Sequence, residues 1–192
     1  MKRRAVDREH RQRSRWVRLF CALHPEPIGA RKLLEAMATA EDLPAHRLTP
    51  ELQVHMTLVF IGDVDLADVA EIKESVGRAA AAVDPICWTP DRIGTLPDRD
   101  QVRTVAAKGP TCGALDELHR RLTQRLVRHK KRRPFLPHMT LARFTPPHEE
   151  IGWNRPLEMV EFSFDTVQLM QSRLLPTGAD HQQLLCASLR GR

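Results

Sequence analysis

No apolar run in this chain approaches the roughly 20 residues needed to cross a bilayer as a helix, so a helical membrane span is excluded. The charged start MKRRAVDREHRQRSR leads into no apolar signal core, which argues against secretion. Cysteine is sparse: Cys21, Cys87, Cys112 and Cys186 stand far apart, with no C-x-x-C pair. That spacing fits reduced, mostly buried thiols of a cytoplasmic protein better than a disulfide framework or a zinc site. No Gly-rich phosphate loop of Rossmann or P-loop type occurs. Tyrosine is missing altogether.

What remains is a chain of 192 residues with 42% hydrophobic content, enough for one medium domain or two packed lobes. Its net charge of +6 is local. Residues 1–18 hold eight Arg or Lys against Asp7 and Glu9, and the rest balances at 22 basic and 22 acidic residues. A second basic block, Arg120, Arg121, Arg125, Arg128, Lys130, Lys131, Arg132 and Arg133, contains no acid. Such blocks attract phosphate backbones. They serve equally as a solvated tail and as a helix end favoured by the helix dipole.

Residues 1–14 lack apolar periodicity and read as a flexible basic leader before one domain, 15–192. Trp16 to Leu23 reads as a buried strand, 28–40 as a helix, and Leu52 to Ile61 as a strand closed by Gly62-Asp63. Helical spacing returns over 65–83 and again over 111–130, where Leu115, Leu118, Leu122 and Leu126 form one stripe. Strands are expected at 86–93, 102–107, 138–144, 159–170 and 182–189, with a proline-rich loop at 145–156. Short strands mixed with helices predict an α+β fold of mostly antiparallel sheets, with the helices packed outside.

One tetrapeptide occurs twice. His55-Met56-Thr57-Leu58 returns 83 residues later as His138-Met139-Thr140-Leu141. Each copy follows a turn and opens a strand, which predicts a duplicated lobe with pseudo-twofold symmetry. Alternation places Val54, Met56, Leu58 and Phe60 on one face, and His55 with Thr57 on the other. In the second copy Met139 and Leu141 point inward, while His138 and Thr140 share the outer face.

Two sheets facing across a groove would gather these four polar side chains around one small anion. Opening a cyclic phosphate needs a base for water and an acid for the departing ribose oxygen, on opposite sides of phosphorus. Histidine suits both roles, because its ordinary pKa near ~6.5 lets one ring be neutral and another protonated. The Thr57 and Thr140 hydroxyls could donate to the non-bridging oxygens. A zinc site would need further ligands, and only Asp63 and Asp65 lie near either copy; no metal and no cofactor are expected.

These residues resemble a known family, the two-histidine (2H) phosphoesterases, and within it the LigT-like RNA 2′,3′-cyclic phosphodiesterases, once called 2′-5′ RNA ligases. The marks are Arg18 to Leu23, Leu52 to Gly62, Pro134 to Arg143, and a C-terminal hairpin with Gln171-Ser172-Arg173-Leu174 and Gly178; together they cover about residues 15–190. The resemblance implies a bilobal fold, two antiparallel sheets lining a central groove, and hydrolysis of RNA or nucleotide 2′,3′-cyclic phosphates to 2′-phosphates without metal. Reverse 2′-5′ joining in vitro is implied as well. Position by position, His55 and His138 match the catalytic pair, Thr57 and Thr140 the phosphate-binding threonines, and Arg143 the arginine completing the second motif.

Arg143 conflicts with simple alternation, which points it at the core, so either the strand bulges or ends near Ala142 or the side chain reaches in from beyond the strand end. Where the family hairpin commonly has tyrosine, this chain has Ala179-Asp180-His181. Phe135 and Arg47 are candidate base-stacking or phosphate contacts; core packing and surface solvation are the alternatives. The sequence leaves open which histidine is acid, with His55 as acid and His138 as base the working assignment. The expected partner is RNA or a nucleotide ending in a 2′,3′-cyclic phosphate, bound by a monomer. A 2H esterase acting on another phosphodiester, such as a 2′-5′ oligonucleotide or a cyclic nucleotide, and a non-catalytic RNA-binding protein are the competing readings.

Overall fold

The computed structural model describes residues 15–40, 43–97, 101–127, 134–149, 152–158, 160–175 and 178–190. The leader 1–14 and the 128–133 part of the second basic block lie outside them. The strands are β1 (Trp16–Leu23), β2 (His46–Leu48), β3 (Met56–Asp65), β4 (Ile86–Trp88), β5 (Arg92–Leu96), β6 (Gln101–Lys108), β7 (His138–Glu149), β8 (Asn154–Pro156), β9 (Phe162–Phe164), β10 (Thr166–Leu175) and β11 (Gly178–Ser188). Among the described residues three helices, α1 (Pro27–Ala38), α2 (Val69–Ala80) and α3 (Gly113–Leu126), pack against them.

Each helix forms for a local reason. In α1, Pro27 occupies the first turn, where its missing N–H costs nothing, and Ala30, Leu33 and Met37 fall on one buried face. In α3 the buried stripe is Leu115, Leu118 and Leu122, as the spacing predicts. The helix expected from residue 65 is preceded by a 3₁₀ turn, Leu66–Asp68, because the Asp65 carboxylate accepts the Ala67 N–H at 3.0 Å and holds the chain in a tight turn.

The fold is α+β and the sheets are antiparallel. One half orders β11-β10-β1-β3 and the other β7-β6-β5-β8, with β2 on the free side of β7 and a separate ribbon of β4 and β9. The halves join through one rung, Met56 opposite Met139. These two methionines are equivalent members of the repeated tetrapeptide. An antiparallel rung between equivalent residues places a local twofold axis between them. The main apolar cluster runs through both halves, from Leu19 and Cys21 to Val105, Leu141 and Phe144.

The ladders depart from simple alternation at equivalent places. Against β1, Thr57 pairs with Ala22 and Val59 with Cys21, so Leu58 is an extra residue. Against β6, Thr140 pairs with Ala106 and Ala142 with Val105, so Leu141 is the extra one. Each leucine of the repeat is therefore a β-bulge, and beyond it the inward and outward faces exchange. Both leucines stay buried, at 4% and 0% exposure. Phe60, expected inside with Leu58, is thereby turned out and is 71% exposed.

Strand bounds differ from expectation too: the strand expected at 86–93 is divided between β4 and β5, and that at 159–170 between β9 and β10. Gly62 does not close β3; at φ 92° it takes a left-handed conformation open to glycine, and the strand continues to Asp65. Residues 145–156 are not all loop, since β7 continues to Glu149 and β8 follows. Pro146 and Pro147 are tolerated because the β6–β7 ladder skips between Val102 and Thr104, where no N–H is required.

Candidate active site

His55 stands just before β3 and His138 opens β7, so the rung between their following methionines sets them on either side of the twofold axis. Both rings are locked alike. Nδ1 of His55 lies 2.7 Å from the Gln53 carbonyl, and Nδ1 of His138 lies 2.8 Å from the Leu136 carbonyl. A carbonyl can only accept, so each Nδ1–H donates, and the neutral ring carries its lone pair on Nε2. Among the described residues neither Nε2 has a hydrogen-bond partner. This pairing of two oriented, half-buried imidazoles is an acid–base arrangement.

Thr57 and Thr140 are half-buried and lie on the same faces as their histidines. The bulge at Leu141 explains Arg143. Thr104, Ala106 and Lys108 alternate on one face of β6, and their partners Arg143, Thr140 and His138 share it. Arg143 therefore belongs to the groove, and its charge is felt by His55 and His181 on the other half. Arg47 of β2 stands directly opposite Arg143. Burial, and then the Arg47 charge, lower the Arg143 pKa from its usual value. Like charges placed opposite each other repel across a sheet.

His24, Phe20 and Lys108 are not singled out by the sequence as site residues, and His181 stands out there only as part of the hairpin. The His24 and His55 rings lie 5.3 Å apart, His55 and His181 5.5 Å apart, and Phe20 touches both His55 and His181 at 5.2 and 5.0 Å. His24 is oriented by the Gln168 side-chain oxygen at 3.2 Å. Lys108, 7% exposed, pairs with His138 and donates to the Thr95 carbonyl at 3.2 Å. His24 and Lys108 are twofold mates, each the residue after the strand position that faces a repeat methionine. The 83-residue repeat could not reveal them, because His24 follows β1 and Lys108 ends β6, both outside it. Burial pushes the His55 pKa down to about 4, helped by His24, His181 and Arg143 and opposed by the Gln53 hydrogen bond. Burial also lowers His24 and His181. Although three imidazoles gather here, no group of three or more His, Cys, Asp or Glu among the described residues is placed to hold a metal ion.

Phe135 is half-buried beside α3. Its ring stacks on His119 of α3 at 4.3 Å and 12°, and it packs against the core, tying the segment before β7 to the helix. Arg120 and Arg121 are engaged with Glu117, whose carboxyl they hold down to about 2. These two arginines thus form a paired helix surface, as the solvated reading expects. A broad cleft of about 1050 Å³ wraps the outer edge of β3 between Trp16, Phe60, Ile72 and α3. Its lining includes none of His55, Thr57, His138 or Thr140, so this cleft is separate from the paired histidines.

The fold and the site together define a phosphoester-binding α+β protein with two symmetry-related histidines. Residues 25–174 match the family model described as the 2′-5′ RNA ligase superfamily, and the chain belongs to that superfamily. A protein of Thermus thermophilus named RNA 2′,3′-cyclic phosphodiesterase is 28% identical over 184 residues, covering 91% of both chains. One of that name from Bacillus subtilis is 27% identical, covering 72% of this chain and 78% of its own. Among solved structures, TT0787 of Thermus thermophilus superposes with a TM-score of 0.77 at 24% identity, over 91% of this chain and 99% of that one. LigT of Escherichia coli in its apo form gives 0.77 at 21% identity, over 92% and 99%. LigT is also known in complex with 3′-AMP.

Proposed function

We infer that this protein is an RNA 2′,3′-cyclic phosphodiesterase, a hydrolase that opens 2′,3′-cyclic phosphate ends to 2′-phosphates. The observation that carries this is the matched locking of His55 and His138, whose Nδ1 atoms are tied to carbonyls two residues upstream while Nε2 stays unengaged. The curated relatives from Bacillus subtilis and Thermus thermophilus bear that activity in their names.

In the proposed reaction one histidine takes a proton from water as the water oxygen bonds to phosphorus. The P–O3′ bond breaks, and the other histidine gives its proton to O3′. The 2′-phosphate remains, and the two rings have exchanged protonation states. Thr57, Thr140 and Arg143 hold the non-bridging oxygens, and Arg47 adds charge at the edge of that anion site. His55 is the acid in the working assignment. Since burial keeps it neutral in the free protein, the bound phosphate must supply the negative charge that restores its proton.

We further propose that no metal takes part, that residues 15–192 work as one bilobal monomer in the cytoplasm, and that reverse 2′-5′ joining is a side reaction. The continuous apolar cluster and four free thiols support the one-unit and compartment readings, and no helix among the described residues is long and apolar enough to cross a membrane. The test is incubation with nucleoside 2′,3′-cyclic phosphates and a cyclic-phosphate-ended RNA, with and without EDTA. Release of 2′-phosphate in EDTA is expected. A 3′-phosphate product would overturn the regiochemistry, and no product from any substrate would overturn the enzyme reading.

A further inference from the structure

β3 has a strand partner along its whole length on one side only. β1 pairs with it from Met56 to Asp65, whereas β7 meets it at the single rung between Met56 and Met139. From Thr57 to Asp65 the opposite edge therefore has no strand partner among the described residues. Such an edge is a row of N–H and C=O groups without a ladder, and folded proteins cover or blunt it. The cleft of about 1050 Å³ runs along this edge, bounded on its far side by α2 and α3.

The walls of this cleft are acidic. Asp63 and Asp65 of β3, Asp68 of the 3₁₀ turn and Glu71 of α2 line it, with Arg125 as the one arginine or lysine among the described lining residues. Two of the four carboxylates hold arginines from the start of β1. Arg15 Nε lies 2.6 Å from Asp65, and Arg18 Nε lies 3.1 Å from Asp63. The Arg15 carbonyl accepts the Leu66 N–H at 2.8 Å, so the backbone is pinned to the end of β3 where residues 1–14 join it. Trp16, 54% exposed, stands in the cleft wall itself. Among the described residues Asp68 and Glu71 have no ionic partner.

An occupant of this cleft must be cationic. The wall repels an RNA backbone, and a second copy would bring the same four carboxylates to it. The segment joined to Arg15 has the required charge, since residues 1–14 hold Lys2, Arg3, Arg4, Arg8, Arg11 and Arg13 against Asp7 and Glu9. Extended, those residues reach about 45 Å, and the open edge of β3 spans about 30 Å. Tethered at the rim, they meet the cleft at the high effective concentration of a short linker, so several weak surface ion pairs suffice.

We propose that the cleft between the open edge of β3, α2 and α3 is the docking site of the chain's own basic leader, residues 1–14. The docked leader covers the edge, and its arginines continue onto Asp68 and Glu71 the pairing that Arg15 and Arg18 begin on β3. The cleft is separate from the histidine groove, so the proposal stands apart from the phosphodiesterase reading.

The experiment is amide hydrogen exchange on the full chain, in wild type and three variants. The leader variant carries Arg3→Glu, Arg4→Glu, Arg8→Glu and Arg11→Glu. The wall variant carries Asp68→Lys and Glu71→Lys, and the third combines both sets. At low salt the leader amides, and those of residues 57–65 on the edge away from β1, should exchange about tenfold more slowly in wild type than in the leader variant. The difference should vanish near about 0.5 M salt. The wall variant should lose the protection too, and the combined variant should recover part of it, which damage to the fold would not do. Equal exchange in wild type and leader variant at low salt overturns the proposal, as does a combined variant no better protected than either single set. Protection of the edge that persists in the leader variant and rises with protein concentration also overturns it, assigning the edge to a second copy.

Discussion

Met56 and Met139 face each other across the rung that joins the two halves of the sheet. Both side chains are fully buried. Each methionine is preceded by a histidine and followed by a threonine and then by a bulged leucine, so one rung places every element of the site in twofold relation. The groove owes its geometry to this contact, because a slip of one residue here would turn each histidine to the opposite face.

The two histidines should act as a unit. His55→Ala and His138→Ala are each expected to lower kcat on a nucleoside 2′,3′-cyclic phosphate by at least ~100-fold. The double variant should be little worse than either alone, as for groups sharing one proton circuit. Steady-state kinetics checks this, and circular dichroism confirms that the variants fold. Near-normal activity in either single variant would refute the paired mechanism.

Arg143 and Arg47 should separate by position. Arg143→Ala is expected to reduce kcat/KM roughly 100-fold and Arg47→Ala roughly tenfold, with inorganic phosphate becoming a weaker competitive inhibitor in both. Arg143→Lys should recover only part of the loss, since a lysine cannot form the planar two-pronged contact. Equal inhibition constants in wild type and Arg143→Ala would remove Arg143 from the phosphate site.

Acid should weaken the fold through His55. Its folded pKa of about 4 lies below the ordinary 6.5, so at pH values between these the unfolded chain binds more protons than the folded one. The contribution of neutral His55 is therefore complete above about pH 6.5, falls as pH drops toward 4, and then levels off. Its upper bound is roughly 3 kcal/mol, because one edge of the ring remains open to the groove. His24 and His181, also lowered, act in the same direction. Urea melts across pH 7.5 to 4 should show this slope in wild type and a shallower one in His55→Asn.

Binding should be linked to proton uptake. If His55 is the acid, inorganic phosphate bound beside it must bring a proton onto the ring near neutral pH. Calorimetric titration in buffers of different ionisation enthalpy should then show uptake of a substantial fraction of one proton, absent in His55→Asn. Zero uptake by wild type would reverse the working assignment and make His55 the base.

The sequence by itself determined the class of fold, the pairing of His55 with His138, and the association of each threonine with its histidine. Those features are local: alternation over three residues puts His and Thr on one face, and a repeated tetrapeptide signals a repeated lobe. Tertiary structure decided what lies beyond the bulges. Whether a strand carries an extra residue depends on the partner strand against which it is registered, so the outward turn of Arg143 and Phe60 becomes visible only in the ladders with β6 and β1. The same holds for His24, His181 and Lys108, brought to the two histidines by strands distant in sequence. Residue type proposed Phe135 as a contact, and only the tertiary structure shows one face of its ring stacked on His119, a neighbour 16 residues away on α3.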